Sequence, residues 1–197
     1  MFSEMRTALS IPKSTDILDH VYSLPTPTAQ SHAMSLIRAI ERRAMLQQVA
    51  QPGLTTLMAY LDSRGVRKGI CTRNFDTPVH NLLEKFLKGH VFAPIVTRDF
   101  RPPKPDPAGI LHIARSWGLV RRSDELLETE KGQEVADASG LIMVGDSIDD
   151  MTAGRRAGAK TVLLVNDVNR HLVDHEHTDL VISRLDELID VLENGRL

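Results

Sequence analysis

The run Leu141-Ile142-Met143-Val144, stopped by Gly145 and followed by Asp146-Ser147-Ile148-Asp149-Asp150, limits what this chain can fold into more than any other stretch. Consecutive apolar residues bounded by glycine read as a short strand buried on both faces, the pattern of a parallel sheet. A Gly/Ala-rich helical spacing begins at Met151, so three carboxylates fall where a strand gives way to a helix. Open α/β sheets bind their ligands at such junctions. Clustered acids repel one another unless a hard cation lies among them, and oxygen donors of this kind suit Mg²⁺. Asp and Ser are equally ordinary as turn and N-cap residues, so the stretch alone leaves both readings open.

The rest of the chain alternates helix and strand. Residues 15–22 read as a short helix capped by Ser14, Pro25 and Pro27 break the chain, and residues 28–50 form a long helix with apolar side chains recurring every three to four positions. Its Met/Leu stripe is packing surface and its Arg42-Arg43 pair a solvated face. From Pro52 a helix ends at Gly65, then strands at 66–71 and 91–96 flank a helix at 77–87, and a helix follows at 107–117. Residues 121–140 are polar, with an acidic helix-like start and a loop expected around 130–140. Strands at 161–165 and 179–182 and a helix at 183–193 close the chain. This order predicts a doubly wound, mostly parallel, Rossmann-like α/β sheet over residues 51–197, preceded by a helical region over residues 1–50.

Composition narrows the partners. With 197 residues and 42% hydrophobic content, the chain can bury one sizeable core or a core plus a small accessory unit. A net charge of -2 argues against nucleic acid or an anionic membrane as the main partner, and favours a small soluble substrate. The single cysteine, Cys71, suits a reducing compartment. Charged residues stand where a secretory signal needs apolar ones, and no run has the length of a membrane span, so a cytoplasmic location is expected.

Two further strand ends carry reactive types. Thr72, in Gly69-Ile70-Cys71-Thr72-Arg73-Asn74, offers a hydroxyl and adjacent amides to a phosphoryl oxygen, or a hydroxyl to a helix N-terminus. Lys104, in Arg101-Pro102-Pro103-Lys104-Pro105-Asp106-Pro107, sits in a stiff loop that can hold a cation towards a phosphate and a carboxylate, although a solvent lysine in a proline-rich turn has the same sequence. His171, Asp174, His175 and His177 have metal-compatible spacing but lie outside this order and read as ordinary polar residues between late strands.

Thr72, Lys104 within Lys-Pro-Asp-Pro, and Gly145-Asp146-Ser147-Ile148-Asp149-Asp150 resemble, in order and spacing, the second, third and fourth motifs of the haloacid dehalogenase-like hydrolases. Ala153-Gly154-Arg155-Arg156-Ala157-Gly158-Ala159-Lys160-Thr161 is similar to the helix and turn that follow in phosphoglycolate-phosphatase-like members. The resemblance covers about residues 50–195, and residues 1–50 look like most of a helical cap. It implies Mg²⁺-dependent phosphoryl transfer through an aspartyl-phosphate, acting on a small phosphorylated metabolite. By motif position Asp146 would ligate the metal, Asp150 would support the metal site or hold Lys104, Lys104 would orient the nucleophile and neutralise phosphate, and Thr72 would bind a phosphoryl oxygen. Arg73 and Asn74 would flank the substrate, with Asp149 the weaker carboxylate.

The resemblance also implies a first motif, an apolar strand ending in Asp-x-Asp and lying between the strands of the second and fourth motifs. No two aspartates in this sequence stand two apart, and Asp16-Ile17-Leu18-Asp19 has the wrong spacing and no preceding strand. Losing a central strand removes several apolar side chains, each contributing about 1.5–3 kcal/mol, from a domain stable by about 5–15 kcal/mol. The expectation is an N-terminally shortened polypeptide, inactive alone, from a Mg²⁺-dependent phosphatase. The alternative is a non-catalytic binding or regulatory module that keeps a phosphate- and metal-like pocket. A phospho-accepting receiver domain ranks lower, because its acids would precede the Thr and Lys.

Overall fold

The computed structural model describes residues 1–122 and 134–195, which separate into two compact units. One comprises Met1–Val49 with Thr77–Glu84, the other Ala50–Asp76 with Lys85–Leu197. The helical region expected over residues 1–50 therefore also takes in a later segment.

The first unit contains helices α1 (Phe2–Ala8), α2 (Ile17–Ser23) and α3 (Pro27–Gln47). Asp16, not Ser14, caps α2, because its side chain accepts from the amides of Leu18 and Asp19. Thr26 caps α3 and Pro27 begins it, a position where a missing amide costs nothing. The expected stripe on α3 buries Ala33, Ile37 and Ile40, and α1 and α2 pack on that helix with Met5, Ile17, Leu18 and Val21 buried.

The second unit carries the strands. Helix α4 (Leu54–Ser63) leads to β1 (Ile70–Cys71), α5 (Asp76–Phe86), β2 (Ile95–Val96) and α6 (Ala108–Ser116). Strands β3 (Val120–Arg122) and β4 (Glu134–Ala136) pair antiparallel, so residues 134–136 are a strand where a loop was expected. The acidic helix-like start expected after Arg122 lies outside the described residues. Strand β5 (Ile142–Gly145), helix α7 (Ile148–Ala157), strands β6 (Lys160–Leu164) and β7 (Leu180–Ile182) and helix α8 (Glu187–Asn194) complete the order.

Two parallel sheets result. One contains β1 and β2, with Ile70 opposite Ile95; the other has the order β5-β6-β7, with Val144 opposite Val162 and Leu163 opposite Val181. Strand β6, flanked on both sides, buries Thr161, Val162 and Leu163 completely. Strand β5 differs from its reading as a buried strand. It has a neighbour on one edge only, and Ile142 remains 36% exposed. Helix α7 lies close on β5 and β6: a Cβ at Gly154 would come within 2.9 Å of Met143 Cβ and 2.8 Å of Thr161 Cγ2, so only glycine permits this approach. No helix among the described residues is long and apolar enough to cross a membrane.

Candidate active site at the sheet edge

The C-terminal ends of β1 and β5 converge on Lys104. Its ammonium donates to the Cys71 carbonyl at 2.6 Å and to Asp150 Oδ1 at 2.5 Å, and both side chains of the ion pair are about nine-tenths buried. Three of the four sequence-selected positions Thr72, Lys104, Asp146 and Asp150 are thereby tied together, since Asp150 also accepts from the Asp146 amide at 3.2 Å and Cys71 precedes Thr72. An ammonium has three donors, and these two contacts leave one for a further acceptor.

Asp150 is held by the helix it begins. Ser147 caps α7 and forms a capping box with it: Ser147 Oγ accepts from the Asp150 amide, while Asp150 Oδ2 accepts from the Ser147 amide at 3.2 Å and from Ser147 Oγ at 2.8 Å. With the Asp146 amide, Oδ2 has three donors, and Oδ1 has Lys104. Gly145 makes room for this turn, because a Cβ there would lie 2.6 Å from Asp150 Oδ2. Asp150 therefore positions Lys104 and the turn itself.

Asp146 stands differently. It is exposed, and its carboxylate has no side-chain partner among the described residues. Partial desolvation, followed by the neighbouring Asp150 charge, raises its pKa above the ordinary aspartate value. Its backbone is fixed by a residue absent from the sequence-level selection. Buried Asn169 donates through Nδ2 to the Asp146 carbonyl at 2.9 Å and the Leu164 carbonyl at 3.0 Å, while its Oδ1 accepts from the Asn166 amide at 2.7 Å. Asn169 thus clamps the end of β5 to the end of β6, and only the tertiary approach of those carbonyls reveals it.

Thr72 Oγ1 accepts from the Asn74 amide at 3.1 Å, a local turn that leaves the hydroxyl proton with no recorded acceptor. Arg73 pairs with Asp149 at 2.6 Å, which gives Asp149 a role beyond starting a helix. Asn74 Oδ1 is buried without a hydrogen-bond partner among the described residues. A second cation, Arg98, was also missed by the sequence reading. It is buried, reaches the Arg73 carbonyl at 3.4 Å and lies 5.7 Å from the Phe75 ring centre. Thr72, Arg73, Arg98, Phe100 and Lys104 line one crevice of about 20 Å³, room for roughly one water. Burial pushes the Cys71 thiol up, against the opposing pull of Lys104.

The late histidines are occupied otherwise. The His175 and His177 rings meet edge to face at 4.9 Å, His177 Nδ1 lies 2.9 Å from Thr152 Oγ1, and the His177 amide donates to His175 Nδ1. Among the described residues no three of His, Cys, Asp and Glu converge as a metal-binding group.

Comparison with known proteins decides the family. The haloacid dehalogenase-like hydrolase model matches residues 16–158. The chain belongs to this family. It is 41% identical over 200 residues to an uncharacterized hydrolase of Saccharomyces cerevisiae, covering 98% of this chain and 84% of that protein. It is 31% identical over 147 residues to a phosphoglycolate phosphatase of Nitrosococcus oceani, covering 73% of this chain and 57% of that protein. Other curated relatives are likewise spanned for only about half their length. The crystal structure of a hydrolase from Pseudomonas syringae shares the fold at a TM-score of 0.65 and 23% identity, covering 98% of this chain and 88% of that one. Within this family the chain is a hydrolase-type α/β protein related to phosphatases, and the parallel sheets and the helical unit agree with that assignment.

Proposed function

We propose that this chain carries the phosphate-binding and metal-binding half of a phosphoric monoester hydrolase acting on a small phosphorylated metabolite. The single observation that carries the reading is Lys104, held rigidly between the Cys71 carbonyl and Asp150 with one donor to spare, beside Thr72 and the unpartnered Asp146. Phosphoryl transfer asks the protein for positioning and charge stabilisation more than for covalent chemistry. The Lys104 ammonium and the Thr72 hydroxyl both have a proton to give to non-bridging phosphoryl oxygens. Arg73 and Arg98 add positive charge around the same crevice, which favours an anionic ester. The phosphoglycolate phosphatases among its relatives support that substrate class.

Mg²⁺ fits the donor set, because it takes one or two carboxylates and completes its octahedron with water and substrate oxygens. Asp146 would hold it, with Asp150 behind through the turn, and the ion would neutralise charge developing on the phosphoryl group. A free carboxylate beside a second acid, with its pKa raised, is the observation that a cation would relieve.

The attacking carboxylate is assigned to a segment outside residues 1–197. Asp149 is engaged by Arg73 and Asp150 by Lys104, and no Asp-x-Asp pair exists in the sequence. In the complete site that carboxylate attacks phosphorus, the ester oxygen leaves with a proton from an adjacent acid, and water then cleaves the aspartyl-phosphate. Residues 1–197 with Mg²⁺ are accordingly expected to leave p-nitrophenyl phosphate intact, while a longer polypeptide ending an apolar run in Asp-x-Asp before Met1 hydrolyses it. An extended protein that is folded but inert on a broad phosphate-ester panel refutes the reading. Those same engaged acids favour a second reading, a cytoplasmic binding module. Its signature is a rise in Tm with Mg²⁺ or a phosphate ester and no hydrolysis in either form.

A further inference from the structure

Strands β1 and β5 are the inner edges of two separate parallel sheets, and they line one cavity. Each has a single partner, β2 and β6 respectively. Gly69, Ile70 and Cys71 form part of one wall of a cavity of about 710 Å³, and Leu141 to Val144 form part of another. Helices α4, α6 and α8 supply further apolar lining, including Leu57, Ile113, Trp117 and Leu188.

The backbone of both edges faces this slot. The amides of Ile70 and Thr72 donate to Pro94 and Val96, so the alternation of a parallel ladder turns the Cys71 amide the other way. The Lys160 amide donates to the Leu141 carbonyl, so by the same alternation the amides and carbonyls of Ile142 and Val144 turn away from β6. The two edges also run in the same sense, since one ammonium, Lys104 Nζ, joins the C-terminal end of β1 to the turn that follows β5. The apolar side chains of β5 are left partly exposed, Ile142 at 36%, although β6 beside it is buried at three of its five residues.

A small apolar ligand fills space but leaves ladder donors and acceptors unmet along two walls. An extended peptide meets both demands, at about 4.8 Å from each edge and about 3.3 Å per residue. We propose that the slot between β1 and β5 is a strand acceptor. It takes an apolar segment from outside residues 1–197, about four or five residues long, as a parallel strand hydrogen-bonded to both edges. Apolar side chains on both faces of that segment suit the helix-lined walls, because strands covered on both faces are apolar throughout. The proposal rests on the slot alone and holds whether or not the chain hydrolyses phosphate esters.

The test uses the full chain and a synthetic peptide carrying five consecutive Val, Ile and Leu residues between lysines. Trp117, the one tryptophan in the sequence, lines the cavity and reports binding by fluorescence. Expected are saturable 1:1 binding, a Tm that rises with peptide concentration, and slowed amide exchange at Cys71, Ile142 and Val144. A peptide N-methylated at alternate residues, equal in hydrophobicity but unable to complete a ladder, is expected to bind at least tenfold more weakly. Equal binding of the methylated peptide makes the cavity a general apolar pocket and overturns the proposal. Failure of the folded chain to bind the parent peptide overturns it too, as does protection of the same amides by dimerisation alone.

Discussion

Replacing Asp150 by Asn tests the reasoning behind the site most directly. The Lys104–Asp150 pair is about nine-tenths buried on both sides, and Asp150 is the only carboxylate on the ammonium, whose other partner is the Cys71 carbonyl. Removing one charge of such a pair leaves the other uncompensated, at about 3–5 kcal/mol. Asparagine cannot repair the loss. One amide oxygen is all it has, so its NH₂ group must face either Lys104 or the three donors from Asp146 and Ser147. Lys104→Met has a smaller effect, because Asp150 keeps those three donors; an unmet Oδ1 costs about 1–3 kcal/mol. For a chain of this length, about 2–4 °C of Tm per kcal/mol makes D150N about 6–20 °C less stable than wild type. Urea melts followed through Trp117, which lies in the same unit, measure both variants and the double variant. The double variant is expected to be more stable than D150N. A D150N protein within about 1 kcal/mol of wild type, or a K104M protein less stable than D150N, refutes the account of which partner depends on the other.

Asp179 accepts from the Thr161 amide at 2.9 Å and from Arg155 at 2.5 Å, and despite desolvation these contacts hold its carboxyl below the usual aspartate value. A depressed folded pKa contributes stability above the unfolded pKa that is lost as pH falls through the folded one. D179N is therefore expected to lower Tm at neutral pH, with the difference closing below about pH 4, as thermal melts across pH measure. Gly145→Ala inserts a methyl against Asp150 and is expected to destabilise by about 1–3 kcal/mol, read by urea denaturation. Asn169→Ala leaves the carbonyls of Asp146 and Leu164 without their shared donor and is expected to cost about 1–3 kcal/mol, with faster amide exchange at the end of β5.

The junction of β5 and α7 was legible because its signals are local: an apolar run, a glycine, a Ser cap and an Asp three positions on. Helix α3 was legible for the same reason, within three residues at either end. Strands expected at 66–71 and 91–96 shrink to two residues each, because a strand lasts only as long as its neighbour and Pro94 has no amide to give. Strand β4 was hidden inside a polar stretch, and its existence depends on pairing with Val120–Arg122. Of the site, Thr72, Lys104, Asp146 and Asp150 came from motif order, and three of their roles rest on contacts spanning tens of residues. Arg98 and Asn169 carried no local signal, since their partners are backbone carbonyls and a ring brought close by the fold.

Lys104 also bears on the order in which the second unit assembles. The pairings within β5, β6 and β7 join residues eighteen positions apart, as in Met143 with Thr161 and Val162 with Leu180, and the capping box is more local still. The bonds of Lys104 close loops of 33 residues to Cys71 and 46 residues to Asp150. Loop-closure entropy grows with length, and contacts of large sequence separation form late. The three-stranded sheet with its capped helix is thus the early-forming piece, and the ammonium fastens the β1–β2 half to it afterwards. The same group that readies the site for phosphate closes the second unit's longest circuit, so substitutions there alter unfolding rates more than folding rates.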